Sequence, residues 1–313
     1  MIQPRPDKDF IRSTWIDDVV ERSRQAGSDA ETLYLTLCGA AAHEIEMLIE
    51  KGIIRLTETG AVDKKDAERV IALDSSPNVT LSLVEKYPGL RVINKSLKDL
   101  LGSPSPLNWP GKVERIPCRA QLVNLDFNGG LKGTERSGQI VFEDFEIISK
   151  IAILHAEQVP SNWRLFVTYN CDLDWDQKTV ASVLAFLQEN FAFSSQFEDE
   201  CKAFLGDDLM RIIHCQDTEG VKNLDPIQGQ RLLMVFVPKK IAAVVVDGGW
   251  LVKTIRNLRY GAYNAHAPMV TWAFDFEWDT RASSIPKTVY REALSAILTN
   301  HGNVEPDGTC VTR

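Results

Sequence analysis

The chain alternates short apolar runs with amphipathic stretches, and that rhythm predicts most of its elements. Residues 33–37, LYLTL, are an apolar run of the length of a buried parallel strand. A helix is predicted over 41–51, burying Ala41, Ile45, Leu48 and Ile49, with Gly52 as its stop. Residues 70–73, VIAL, form a second buried strand ending at Asp74. Ser76 and Pro77 then read as an N-cap followed by proline at the first helical position. A third strand is predicted at 90–93 and a fourth at 120–125. A long helix over about 140–158 leads to a fifth strand at 163–169.

The flanking segments complete the pattern. Residues 11–25 set Ile11, Trp15, Val19 and Val20 among charges, which predicts an amphipathic helix ended by Gly27 and covering one face of the sheet. Helices are predicted over 177–191 and 195–205. Beyond Gly206, residues 232–237 and 241–246 are apolar enough to be strands. Residues 250–260 alternate, and 269–278 alternate strongly, with Val270, Trp272, Phe274 and Phe276 on one face. These two predict an antiparallel pair. Strands alternating with helices and closing on such a pair imply an α/β fold with a mostly parallel central sheet flanked by helices. At least one antiparallel strand is expected near an edge, from the C-terminal strand pair. The polar stretch 57–68 reads as an insertion, and 102–111, rich in Gly and Pro, as a loop. One domain is expected over 1–313, with 1–32 as a helical cover and 206–249 as an insertion packed on the sheet.

Composition narrows the classes. At 313 residues the chain exceeds the usual ~100–200 per domain, which α/β folds often do. With 44% hydrophobic and 25% charged residues it can bury a core without disulfides or metal. A net charge of -8 argues against non-specific coating of nucleic acid, while leaving room for a local basic patch. The six cysteines show no CxxC pair and no Cys/His ligand spacing. Buried reduced thiols of a cytoplasmic protein are expected, and no metal site. The polar stretch 1–10 has no signal-peptide pattern, and no apolar run nears the roughly 20 residues of a membrane span. GxSxG and P-loop motifs are absent.

Candidate chemistry gathers at strand ends. In the turn Cys38-Gly39-Ala40, small residues let a ligand approach the backbone and the following helix N-terminus. It holds one glycine where a pyrophosphate cradle has three, which disfavours a nicotinamide-dependent oxidoreductase; a plain strand-to-helix turn is the alternative. Asp74 ends the second strand, where a carboxylate can accept hydrogen bonds from both ribose hydroxyls. The gap from Gly39 exceeds the usual ~20 residues, and the insertion at 57–68 takes up the excess. Asp126 and Asn128 close the fourth strand. They can hold an amine or take a proton, although Asp, Asn and Gly also make ordinary turns. Lys253, Arg256 and Arg259, with Tyr260 and Tyr263, read either as a nucleic-acid stripe or as a solvated strand edge guarded by charge. His43 is a ligand contact or a solvated first-turn residue.

In this order, residues 33–126 resemble the class I S-adenosylmethionine-dependent methyltransferases, a Rossmann-like family. TLCGA (36–40) looks like the first motif, VIALDSS (70–76) the second, VINKSLKDLL (92–101) the third and LVNLDFNG (122–129) the fourth. The terminal strand pair suits that family's antiparallel seventh strand. The resemblance implies S-adenosylmethionine as cofactor, with Cys38, Gly39 and Ala40 beside its methionine part and Asp74 on the ribose. It places Ser75 beside the adenine and Ser96 near the adenine amine, where the family often has Asp or Asn. Asp126 and Asn128 become the catalytic candidates at the methyl acceptor. NLDFNG lacks the double proline of the amino-methyltransferases and is similar to the fourth motif of three-cysteine-motif partner proteins found near bacterial defence genes. The expected function is a bacterial methyltransferase acting on nucleic acid or another polar substrate. The alternative is a catalytically inactive subunit of the same fold that binds a protein or nucleic-acid partner in a defence system. The oligomeric state stays open.

Overall fold

In the computed structural model the described residues are 6–26, 32–39, 41–102, 120–156, 162–171, 173–261, 268–279, 281, 301–305 and 307–312. Ala40, Gly27, Tyr263 and the predicted loop past Gly102 lie outside them. Four short strands come first: β1 (Tyr34–Leu37), β2 (Val70–Asp74), β3 (Arg91–Asn94) and β4 (Leu122–Gly130). A hairpin, β5 (Gly133–Arg136) and β6 (Gln139–Phe142), stands apart from the main sheet. The sheet continues with β7 (Trp163–Asn170), β8 (Trp250–Tyr260), β9 (Met269–Trp278), β10 (His301–Val304) and β11 (Cys310–Thr312). Their spatial order is β11-β10-β8-β9-β7-β4-β1-β2-β3. Neighbours from β7 to β3 pair in parallel, β9 runs antiparallel to both β7 and β8, and β10 is parallel to β8. In chain order β9 is the seventh strand of this sheet, and it lies in the interior rather than near an edge.

Helices cover both faces, as a doubly wound sheet requires. On one face lie α1 (Pro6–Ala26), α2 (His43–Glu50) and α4 (Pro77–Lys86), with α3 (Lys64–Arg69) beside them. They bury Ile11, Trp15, Ile16 and Val19 of α1 against Tyr34, Leu122 and Phe166 of the strands. The other face carries α5 (Leu97–Gly102), α6 (Glu143–Ala156), α7 (Gln177–Phe193), α8 (Ser195–Leu205), α9 (Asp207–His214), α10 (Thr218–Lys222) and α11 (Pro226–Val245). Here Val270, Trp272, Phe274 and Phe276 of β9 all enter one core with Trp163 and Trp250. Along every strand successive side chains turn to opposite faces, so Leu35 and Leu73 join the second layer while Tyr34 and Ala72 join the first.

Several elements differ from expectation, each for a local reason. Residues 232–237 and 241–246 are not strands: 232–237 and 241–245 are parts of the single helix α11, and Val246 opens the 3-10 turn that follows it. Asp225 and Gln228 form the capping box of α11, which is buried on nearly every side. A helix that is apolar all round shows no 3.6-residue stripe, so its runs mimic strands. Pro238 sits inside it and is buried, tolerated by packing although it removes one backbone donor. Helix α6 begins at Glu143 because 139–142 pairs with 133–136. Residues 126–129 are not a turn: β4 runs on to Gly130 with a register shift between Asp126 and Gly130. Helix α2 starts two residues late, because Ala42 adopts a left-handed φ of 54° as its N-cap. That rotation exposes Ala41 and buries Ala42 and Glu44. Finally, the turn at Gly308 packs so closely on α1 that a Cβ there would stand 3.1 Å from the Pro6 carbonyl.

Candidate functional site

The parallel strands β1 to β4 end at one rim, and β1 and β4 are where the chain reverses its direction of progress across the sheet. A crevice opens at such a switch point in doubly wound folds. Here it is a cleft of about 310 Å³ lined by Leu37, Gly39, Leu73, Asp74, Ser75, Lys95, Ser96, Leu97, Lys98, Asp126, Phe127 and Ile147. That is at the lower end of small-molecule sites, which run about 300–1,000 Å³. The structure therefore brings Gly39, Asp74, Ser75, Ser96 and Asp126 together. Ala40 lies outside the described residues, as does the side chain of Asn128, whose backbone is part of β4.

Each of these residues has a defined local role. Gly39 takes φ +61°, and a Cβ on it would meet nothing within 4 Å. The turn is open at that point, with the backbone bare toward the cleft. Asp74 ends β2, and its Oδ1 accepts the Ser76 N–H at 2.7 Å, while Ser76 caps α4. Ser96 is spent on structure: its hydroxyl donates to Asp99 at 2.6 Å and accepts the Asp99 N–H at 3.0 Å. Cys38 is not in the cleft lining and packs against the α1 side core. Burial, with Glu44 and Asp74 adding, raises its thiol pKa far above the usual range, so it stays protonated. Asp126 is 18% exposed and receives Lys8 Nζ on Oδ2 at 3.3 Å. Its other oxygen is buried with no hydrogen-bond partner.

Beneath the rim lies a polar cluster that the sequence does not announce. Glu44 of α2 is buried, and Tyr34 donates to its Oε2 at 3.1 Å, as does the Thr36 hydroxyl. Asn124 donates to Glu44 Oε1 at 3.1 Å and to the Tyr34 hydroxyl at 3.0 Å. Thr36 and Asn124 are register partners of β1 and β4. Asn124 is two residues before Asp126, on the same face of its strand. Burial pushes the Glu44 carboxyl pKa up, against hydrogen bonds from Thr36 and Tyr34 that pull it down. Behind Phe127, which stacks on Tyr169 at 5.2 Å, burial pushes Asp144 up to about 6, against its interaction with Tyr169 and with Glu143 adding to the rise.

The cations near the cleft are largely engaged. Lys98 reaches Glu143 at 2.8 Å, and Arg136 of the hairpin bridges Glu143 at 2.7 Å and Glu146 at 2.8 Å. Farther off, Lys253 pairs with Glu277 at 3.0 Å and Arg256 with Asp18. Strand β8 is no sheet edge, since β9 and β10 flank it. His43 contacts Glu46 at 3.3 Å on the exposed side of α2. No helix among the described residues is long and apolar enough to cross a membrane.

Sheet order and cleft together define a doubly wound α/β protein with a crevice at its switch point and an antiparallel seventh strand inside its sheet. No family model matches the chain, and no curated protein matches it. Among solved structures it is similar to a modification subunit of a candidate type I restriction enzyme from Vibrio vulnificus YJ016. The identity is 11% and the TM-score 0.34, over 88% of this chain and 44% of that one. It is also similar to a candidate rRNA methylase from Clostridium thermocellum, at 8% identity and TM-score 0.30, over 83% of this chain and 96% of that one. The chain thus spans less than half the length of the Vibrio subunit.

Proposed function

We propose that the chain binds S-adenosylmethionine in the switch-point cleft and presents a polar acceptor to it at Asp126. The observation that carries this reading is the meeting, in one cleft, of an open glycine turn, a carboxylate ending β2 and a carboxylate at the end of β4. The residues present fit the cofactor. Asp74 keeps acceptor capacity for ribose hydroxyls beyond the one bond Oδ1 makes to Ser76. Leu73, Leu97 and Ile147 offer an apolar surface for a base, and Gly39 leaves room beside the backbone. When bound, S-adenosylmethionine supplies a methyl group activated by its sulfonium. The protein's share is proximity and orientation: Asp126 holds an N–H or O–H of the acceptor and takes up its proton. Nucleic acid and other polar molecules are both proposed acceptors, and the ion-paired rim cations favour an acceptor without phosphates.

Isothermal calorimetry with S-adenosylmethionine and its demethylated product tests this. Asp74→Ala removes two charge-assisted hydrogen bonds at about 1.5–3 kcal/mol each, so affinity should fall by on the order of a hundredfold at least and up to about ten-thousandfold. No heat from the wild type with either compound would overturn the cofactor reading. A second reading, a non-catalytic subunit that binds a protein or nucleic-acid partner in a bacterial defence system, is favoured by Lys8 standing on Asp126. Under it, cofactor binds without turnover on DNA, RNA or protein, and neighbouring genes encode the partner.

A further inference from the structure

We propose that the Asp126 subsite is built for a primary alkylammonium group, and that Lys8 is its resident occupant. This rests on the cleft being a ligand site, as proposed above. Lys8 lies in the first turn of α1, where the positive end of the helix dipole disfavours a cation. The helix itself therefore gives no reason for a lysine there, whereas its neighbours Asp7 and Asp9 suit the position. What the side chain reaches is the Asp126 carboxylate, Nζ to Oδ2 at 3.3 Å. The contact is long for a charge-assisted hydrogen bond, ordinarily about 2.7–2.9 Å, and it leaves Oδ1 buried and unpartnered. An ammonium carries three donors. A group delivered from the cleft, free of the α1 backbone, can centre between both oxygens where Lys8 meets only one.

Phe127, the next residue of β4, lines the same cleft and offers a ring wall of the kind that favours cationic and alkyl groups. Of the cations near this rim, Lys98 and Arg136 are paired with Glu143 and Glu146, and Lys95, which also lines the cleft, is engaged in an interaction of its own. A lysyl side chain or similar primary amine thus suits the subsite better than a nucleotide does. Tethered on α1, Lys8 competes with such a ligand at an effective concentration of order millimolar, and an incoming amine must displace the first turn of α1.

The test titrates N-acetyl-lysine methylamide into the full chain by calorimetry, with adenosine monophosphate in a parallel arm. Lys8→Met should bind the amine on the order of tenfold tighter than the wild type, and adding Asp126→Asn should abolish the gain. In the wild type, saturating amine should speed hydrogen exchange over residues 6–12, a readout that needs no variant and decides the matter if Lys8→Met fails to fold. Equal amine affinity in wild type and Lys8→Met, unchanged exchange, or a gain for the nucleotide instead of the amine would each overturn the proposal. The probe requires no S-adenosylmethionine, so a failed cofactor titration and a failed amine titration are separate results.

Discussion

Glu44 offers the sharpest test of how the cleft is supported. Its carboxylate accepts hydrogen bonds from Tyr34, Thr36 and Asn124 in a fully buried setting. In Glu44→Ala, Asn124 keeps its bond to Tyr34 at 3.0 Å, but the Tyr34 and Thr36 hydroxyls both lose their acceptor. At about 1–3 kcal/mol for each unsatisfied group, the expected loss of stability is about 2–6 kcal/mol. Glu44→Gln keeps the shape and one oxygen, but turns an NH2 toward the Asn124 amide nitrogen, so about 1–2 kcal/mol is expected from the same unsatisfied-group cost. The pH dependence separates the two contributions. Burial raises the Glu44 pKa in the folded protein, so the native state holds its proton over a window where the unfolded chain has lost it. That stabilisation is complete below the ordinary glutamate pKa and is lost as pH rises through the folded value, by at most ~1.4 kcal/mol per pH unit. The amide of the Glu44→Gln variant does not titrate. The stability gap between wild type and Glu44→Gln, measured by urea unfolding at about pH 5, 6, 7 and 8, should therefore be widest in acid and narrow with rising pH. A gap that is constant or grows with pH would refute the assignment of a raised pKa to this carboxyl.

Two further variants probe the supports on either side of the cleft. Arg164 bonds Asp275 at 2.6 and 3.0 Å and Asp18 of α1 at 3.0 Å. Arg164→Ala should cost about 1–3 kcal/mol, because it takes the two-bond partner from a partly buried Asp275, while Asp18 keeps Arg256 and Asp275 keeps Thr254; faster hydrogen exchange in α1 alongside a lower melting temperature would show it. Ser96→Ala removes the α5 cap and should cost about 1 kcal/mol while leaving S-adenosylmethionine affinity within twofold, since the hydroxyl already serves Asp99. A large loss of affinity would instead place Ser96 on the cofactor.

The strands that build the cleft were legible because parallel strands buried on both faces read as unbroken apolar runs. LYLTL and VIAL need no periodicity to be seen. Asp74 was legible for the complementary reason, a lone charge ending such a run. The polar cluster was not, because its members come from positions 34, 36, 44 and 124, and each has an ordinary local reading: two strand formers, a helical glutamate and a strand-end asparagine. One signal was present: Glu44 lies four residues before Leu48, and both are buried, so a charge stood on the apolar stripe of its helix. Lys8 was hidden by distance in another way, since only the tertiary fold brings α1 to the end of β4. Helix α11 escaped because full burial erased its stripe.

The contact between Gly308 and Pro6 has a use in engineering. Because Gly308 lies against Pro6, a chemical cross-link from its turn to the start of α1 would tie that helix to the sheet while leaving β11 paired with β10. Such a cross-linked chain would fasten the first turn of α1 at both of its ends. The freedom of Lys8 to leave Asp126 would then become an adjustable quantity, set by the length of the cross-link.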